Sequence, residues 1–570
     1  MVKKQHEGIQ IKFLRGHTTM KSIKQDQIVD FEVQGTTDLA NPFFAEVFGI
    51  FNGPQGQRLV VPGFYAGGAA ASAASPADAA ASAHRWVVRF SPRTYGADPR
   101  GQWTYAIASP HVRFVQAAGA QGGVFLCGPA ADPAGKGVLR VSPEHPFHFR
   151  YDDGSYHFMN AYECDWLWAL DLGGTSTART QALVDKIAAA GFTEVIMNVY
   201  AHDSSWTAGK TGPDDYGPPA MYAWGGTNEK PDHSRINLEF FAHYDAVMDI
   251  LRRAGLTAHI FLKVYNKQVN WPKKGSPEDD LYFSYLVARY QAYPNVIWDF
   301  AKESYNETDK EYLFDRLEFV KRLDAYGHLR TTHDDIQYCS NPRWASAVDF
   351  YTAQQHYDFY SIALVDKFRY RKPYFNSELG YEYGPGGPTD KCYDIVQSPE
   401  EVIKRAYLVV MAGGYPAYYY THTAWDVIKP EHTPPGYAYW KIMADFFGAL
   451  KFWEFEPAPG YCRIRAAKCL AREASGGQGS AAAANGTRTG FARDEAEELV
   501  FFSDQEDRNT LWMTNTLDFS RYTGYWMDIL GGEKQTFAAS SIKVSSDGLD
   551  RMTVANPFSP HPAVLYLKRT

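Results

Sequence analysis

The sequence predicts an α/β fold: a (β/α)8 TIM barrel flanked by an N-terminal and a C-terminal β-sandwich, divided as 1–145, 146–452 and 453–570. Two observations carry this. In the central part, apolar strand-like runs alternate with amphipathic helical stretches, the rhythm of βαβ units. In both flanks, short alternating stretches are broken by Gly, Pro and Asn turns. With 570 residues, 45% of them hydrophobic, the chain can build several cores.

Residues 8–145 read as β, with Ile28–Val33, Phe43–Phe51 and Trp86–Phe90 as the clearest strands. An Ala/Gly/Ser tract at 66–83 reads as a solvated loop between two strands, and Leu139–Ser142 as a last strand before the barrel. Eight barrel strands are expected at 155–161, 194–200, 257–264, 296–302, 328–333, 349–356, 373–378 and 416–421. Helices are expected near 177–190, 235–254, 278–293, 309–326, 399–413 and 437–450. Two have clear starts. Ser276-Pro277-Glu278-Asp279 and Ser398-Pro399-Glu400-Glu401 each supply an N-cap hydroxyl, a proline at the first helical position and an acid at the third. A doubly wound open sheet is the rival, but it calls for a glycine-rich phosphate loop after an early strand, and none is visible. Residues 453–570 return to β, with strands at Glu498–Phe502, Thr510–Thr514, Thr523–Ile529 and Ala563–Leu567, and a second Ala/Gly/Ser-rich tract at 474–487 reads as a loop.

A net charge of −8 argues against a nucleic-acid partner. Cys127, Cys164, Cys339, Cys392, Cys462 and Cys469 are scattered without zinc or CxxC spacing, so free thiols in a reducing compartment are expected. The first ten residues show no apolar signal-peptide core, and no run of about 18 apolar residues exists for a membrane helix. A cytoplasmic location without membrane attachment is therefore expected; homo-oligomer formation is left open.

The chemistry points to two glutamates. Glu303 ends the run Val-Ile-Trp-Asp-Phe-Ala-Lys-Glu, and Glu378 ends Lys-Pro-Tyr-Phe-Asn-Ser-Glu. Parallel barrels carry their active residues where strands stop. Two carboxylates from different strand ends can flank one sugar ring, one donating a proton while the other attacks or activates water. Gly380 would permit a tight turn after Glu378, and Glu382 is the nearby rival carboxylate. Other strand ends supply Glu163, Trp166, His202, His333, His356, Tyr381, His422 and Trp425 as candidate substrate-binding residues, together with Lys302. Trp166, Trp168 and Trp425 are candidates for stacking on sugar faces. His202, His333, His356 and His422 raise the alternative of a metal site. They lie on different strands without an HxH or HExxH signature, so hydrogen bonds to sugar hydroxyls are the expected use, with no metal and no cofactor.

This pattern resembles the apiosidase-like group of (β/α)8 glycoside hydrolases, also called collagenase-related. Its members combine an N-terminal β-sandwich, a catalytic barrel and a C-terminal β-domain of the collagen-binding type. The likeness rests on Val-Asp-Phe-Glu-Val-Gln-Gly (29–35), Asn-Pro-Phe (41–43), Trp-Val-Val-Arg-Phe-Ser-Pro (86–92) and Gly-Gln-Trp-Thr-Tyr (101–105). It continues through Phe-His-Phe-Arg-Tyr-Asp-Asp-Gly-Ser-Tyr-His-Phe (147–158) to Gly-Tyr-Trp-Met-Asp-Ile-Leu-Gly-Gly-Glu (524–533). The resemblance implies Glu303 as acid/base and Glu378 as nucleophile of a retaining exo-glycosidase that removes a terminal sugar from an oligosaccharide or glycoside. The group usually places Asn before its acid/base, where this chain has Lys302. That lysine could contact a hydroxyl, hold Glu378 ionised or bind an acidic sugar; strand alternation would turn it away from Glu303 unless the strand end twists or bulges. Two other classes compete: a non-catalytic sugar-binding protein with a degraded site, and a metal-dependent hydrolase on the same barrel.

Overall fold

A computed structural model describes residues 21–68, 83–93, 97–115, 121–130, 135–204, 214–334, 341–387, 395–462, 467–473, 496–502, 510–514, 518–544 and 551–570. The barrel strands are Ala161–Glu163, Glu194–Asn198, Thr257–Val264, Val296–Lys302, the split fifth strand Arg330–Thr331 and His333–Asp334, then Tyr351–Ala353, Tyr374–Asn376 and Tyr415–Tyr420. All pair in parallel, and Ala161 lies opposite both Glu194 and Ala417, so strand one joins strands two and eight. The two halves of strand five pair with strands four and six and complete the ring.

Strand one is displaced from its expected place at 155–161. Tyr156–His157 instead closes a small antiparallel sheet with Leu139–Val141 and Phe149–Tyr151, and the barrel begins at Ala161. The stretch from Tyr156 to Glu163 is β-like throughout, so its pattern does not reveal the break. This small sheet straddles the expected boundary at residue 145. The two helix starts form as read: Ser276 Oγ accepts from the Asp279 amide at 3.3 Å and Ser398 Oγ from Glu401 at 3.2 Å. A helix at Ser361–Tyr370 and a short one at Pro342–Ala345 add to the expected set.

The N-terminal flank stacks a five-stranded on a four-stranded sheet, and the C-terminal flank a six-stranded on a three-stranded one. Phe51, Trp86, Phe90 and Trp103 fill the first core, and Leu499, Phe501, Leu565 and Leu567 the second. The tract 66–83 opens inside the strand Phe64–Gly68, and most of its remainder, like 474–487, lies outside the described residues. Among the described residues Cys127, Cys164, Cys462 and Cys469 are buried free thiols; Cys339 and Cys392 lie outside them. No described helix is long and apolar enough to cross a membrane.

The barrel interior is not wholly apolar. His259, on strand three, presents Nδ1 to Glu194 Oε1 at 2.8 Å and Nε2 to Asp299 Oδ2 at 3.0 Å, all three side chains fully buried. With a carboxylate at each ring nitrogen, both nitrogens donate, and the ring is an imidazolium. Burial alone would lower its pKa, but the hydrogen bonds of Asp299 and Glu194 outweigh this and raise it to about 9. The same Asp299 takes the amides of His333 (3.0 Å) and Ala301 (3.1 Å) on Oδ1, so one buried ionic chain ties strands two, three, four and five together below the mouth.

A pKa above the ordinary value of about 6.5 makes this a contribution that is complete below about pH 6.5 and lost as pH rises through about 9. His259→Gln is expected to cost about 3 kcal/mol or more at pH 6, because it strands two buried carboxylates. It should also flatten the decline in stability between pH 6.5 and 9, followed by denaturant unfolding; an unchanged pH dependence in the variant would refute the assignment.

Candidate active site

Strand four carries the first glutamate by breaking the strand rule. Phe300 packs outward on Phe283 and Tyr312, yet Lys302, two residues on, points inward and is buried. The break sits at Ala301, whose amide bonds the Asp299 side chain, while the pairing with strand three holds its register through Ala301 and Lys302. Glu303 then adopts φ 56° and ψ 46°, a left-handed conformation that is costly for a residue with a Cβ. One left-handed residue turns the chain into the Ser304–Asn306 turn and leaves Glu303 half-buried over the barrel mouth. Its amide faces His333 Nδ1 at 3.5 Å, and Asn306 donates to its carboxylate at 3.3 Å.

Strand seven solves the same problem differently. It stops at Asn376, and a second short strand, Tyr381–Glu382, resumes the pairing with strand eight. The kink between them contains Gly380 at φ +138°, where a Cβ would meet the Arg405 guanidinium at 2.7 Å. Glu378 projects from this kink and is only 2% exposed. Its Oε1 accepts from the Tyr381 hydroxyl and from Gln354 Nε2 at 3.0 Å. Its Oε2 lies 3.4 Å from Lys302 Nζ and 3.9 Å from His333 Nε2. The Asn376 side chain holds its backbone amide at 3.2 Å.

Lys302 is the centre of the cluster. Its ammonium donates to Glu163, to Glu378 and to the Tyr419 hydroxyl at 3.3 Å, and lies 3.4 Å from Asp165 Oδ1. Tyr419 in turn donates to Asp165 Oδ2. Burial works to raise the pKa of Glu378, but the Lys302 ammonium dominates and lowers it to about 2. His333 is held neutral, burial lowering its pKa to about 3. For Glu303 the balance is reversed: burial raises its pKa, and the Lys267 ammonium offsets this only in part. The geometry thus keeps Glu378 ionised and favours a proton on Glu303.

The structure gathers Glu303, Glu378, Lys302, Glu163, His333, His356, Tyr381 and Trp425. His356 meets the Gln354 amide at 3.2 Å, and Trp425 stacks on Tyr381 with ring centroids 5.1 Å apart. The other candidates lie outside this group of contacts. Trp166 and Trp168 stack on one another at 5.5 Å and are wholly buried, so neither offers an exposed face to a sugar. His202 bonds Tyr200 at 3.1 Å and faces Glu229 at 3.8 Å. His422 pairs with His432, Nδ1 to Nδ1 at 2.8 Å. Glu382 turns away to accept from Tyr418 at 2.7 Å and from the amide of Gly436, at the start of the Gly436–Gly448 helix, at 3.3 Å. The four expected histidines do not converge, and no described cluster of three or more His, Cys, Asp or Glu is arranged to hold a metal.

Asp165, Gln354, Tyr419 and Lys267 join the cluster without having been expected there. The first had a signal, since it stands two residues beyond Glu163. Gln354 stands two residues before the expected strand-end His356. Tyr419 and Lys267 had none, because only the closed ring brings them to this place.

A closed parallel barrel with two glutamates at the ends of strands four and seven is the scaffold of a glycoside hydrolase. The Apiosidase-like catalytic domain model matches residues 147–454, more than half of the chain, and a domain of unknown function, DUF5060, matches 22–110. The chain belongs to the Apiosidase-like family. Among solved structures it is similar to a protein from Bacteroides vulgatus ATCC 8482 assigned provisionally as a glycoside hydrolase. That match has a TM-score of 0.72 at 17% identity and covers 97% of this chain and 100% of that one. A glycoside hydrolase family 5 protein from the same organism aligns with a TM-score of 0.52 at 15% identity, over 77% of this chain and 94% of that one. These likenesses show a shared fold. A comparison with curated proteins found no match.

Glu382 supplies a check on the choice of carboxylate. Burial raises its pKa to about 7, against the hydrogen bonds of Tyr418 and Gly436. A carboxyl raised in the folded state stabilises below about pH 4.5 and loses that contribution as pH rises through about 7. Glu382→Gln keeps a carbonyl acceptor for Tyr418 without the buried charge. It should therefore raise stability at pH 8 by on the order of 1–2 kcal/mol and leave any turnover intact. Loss of turnover at unchanged stability would place Glu382 in the site.

Proposed function

We propose that the protein is a retaining exo-glycosidase that removes a terminal sugar from short glycans or glycosides. Glu378 attacks the anomeric carbon. Glu303 protonates the leaving oxygen and then takes a proton from the water that releases the sugar. The observation that carries this reading is the opposed ionisation of two carboxyl groups at one mouth, Glu378 held as an anion by a buried ammonium and Glu303 favoured as an acid by burial. A second feature supports it. Around Glu378, the buried atoms His333 Nε2, Gln354 Oε1 and His356 Nδ1 have no hydrogen-bond partner in the protein. Unpaired donors and acceptors at one place suit a ring of hydroxyl groups, each of which both donates and accepts.

Lys302 bears on which sugar fits. Its donors are committed to Glu163, Glu378 and Tyr419. An acidic sugar would meet carboxylates here without a spare donor on Lys302, which favours a neutral glycone over the acidic one.

The test is hydrolysis of a panel of nitrophenyl pyranosides and furanosides, with the anomer of the first-formed product read by NMR. Retention supports double displacement, and inversion removes Glu378 as nucleophile. Glu378→Ala should abolish turnover and remain folded. Glu303→Ala should be partly rescued by azide on substrates with good leaving groups, giving a glycosyl azide of retained configuration. Lys302→Met should lower kcat/KM by about 10- to 1000-fold, on the order of 1.4–4 kcal/mol. It should also move the acidic limb of the pH–rate profile upward, because Glu378 becomes harder to ionise. A wild-type profile would show that Lys302 does not govern the nucleophile.

A further inference from the structure

The residues after strand six lead from the floor of the mouth to its rim. Gln354 donates to Glu378, which is 2% exposed, and meets His356 Nε2 at 3.2 Å. His356 is half-buried. The next residue, Tyr357, is 84% exposed, its ring nearly perpendicular to that of His356 with centroids 6.5 Å apart. A single exposed aromatic is ordinary on a protein surface, but this one stands on a braced segment. The Asn376 side chain donates to the Gln355 carbonyl at 3.0 Å and accepts the Gln355 amide at 3.4 Å, and the same oxygen takes the Glu378 amide at 3.2 Å. Gln355 Oε1 takes the Tyr357 amide at 3.1 Å, and Asp358 Oδ1 takes the Ser361 amide at 2.8 Å, where the helix Ser361–Tyr370 begins. Glu378 and the segment bearing Tyr357 thus share one anchor, Asn376.

Two further observations give the ring a use. Gln354 Nε2 is an amide donor, so His356 Nε2 accepts and its hydrogen sits on Nδ1, which is buried with no partner in the protein. An unmatched donor therefore stands between Glu378 and Tyr357 in this series, which suits a ligand oxygen. Across the ring, backbone bonds from Tyr216 to Asp426 at 2.8 Å and from Ile428 to Asp214 at 3.0 Å join the loops after strands two and eight, which flank strand one. The opposite arc, strands four to six, ends in Glu303 and Tyr357. A ligand longer than one sugar has this arc as its way out of the mouth. We propose that Tyr357 is the platform for the second unit of the ligand, the part beyond the bond that is cut, and that it recognises a flat apolar face there. The face is either the C–H side of a second sugar or an aromatic aglycone; a phenol ring stacks on both.

The inference rests on the glycosidase reading, and the experiment separates the two. It compares substrates that share one glycone: a nitrophenyl glycoside and a disaccharide, which have a second unit, and the glycosyl fluoride, which has none. In Tyr357→Ala the ratio of kcat/KM for a two-unit substrate to that for the fluoride should fall by about 3- to 20-fold. Tyr357→Phe keeps the ring and should hold the ratio within about 2-fold. A loss on the disaccharide assigns the platform to a sugar face, and a loss on the nitrophenyl glycoside alone assigns it to an aromatic aglycone. An unchanged ratio in Tyr357→Ala, whether every rate stays or every rate falls together, overturns the platform. So does an equal loss in Tyr357→Phe, which would put the contact on the hydroxyl. Should the wild type cleave none of these compounds, the glycosidase reading falls, and calorimetry with the uncleaved nitrophenyl glycosides and disaccharide decides the platform. A Kd weakened by about 3- to 20-fold in Tyr357→Ala supports it; equal affinity, or no binding to the wild type, overturns it.

Discussion

The mouth of the barrel is organised around one buried ammonium. A lysine deep inside a protein is tolerated only when opposite charges repay the loss of water. Lys302 recruits Glu163, Glu378 and Asp165 from strands one and seven, and Tyr419 from strand eight. Half of the ring is thereby tied to one atom. Strands two and three are tied to strand four by His259, between Glu194 and Asp299. The two charged knots meet at His333, which hangs from Asp299 by its amide and faces Glu378 with its ring.

This arrangement assigns different electrostatic neighbourhoods to residues that are chemically identical. Glu378 is enclosed by donors: a phenol, an amide and an ammonium. Glu303, half-exposed, takes an Asn306 contact and is chiefly shaped by its burial and by Lys267. Glu382 lies on the far side of the strand, bonded toward a helix. Three glutamates within one mouth region therefore have three ionisation tendencies, and environment alone accounts for the differences.

Much of this was legible in the chain, and the parts that were not share a cause. The barrel is readable from strand-length apolar runs separated by capped helices, and both strand-end glutamates from where those runs stop. The start of strand one was not legible, because Tyr156–His157 and Ala161–Glu163 share a pattern but belong to different sheets. Lys302 could be placed inside only by knowing that the Asp299 side chain captures the Ala301 amide. The tryptophans at 166 and 168 look like strand-end platforms in sequence, yet they pack against each other and Tyr200 in the core. Local pattern reports which side chains leave a strand. It does not report contacts between residues some 250 positions apart, such as Tyr419 and Asp165.

The left-handed backbone of Glu303 has an evolutionary consequence. A glycine there would adopt the same turn without the Cβ penalty and would gain on the order of 1 kcal/mol of stability. The residue proposed to move the proton is thus one that heat resistance alone would discard. A lineage under thermal selection but released from the need to hydrolyse would find in this position an easy route to a sturdier, silent barrel.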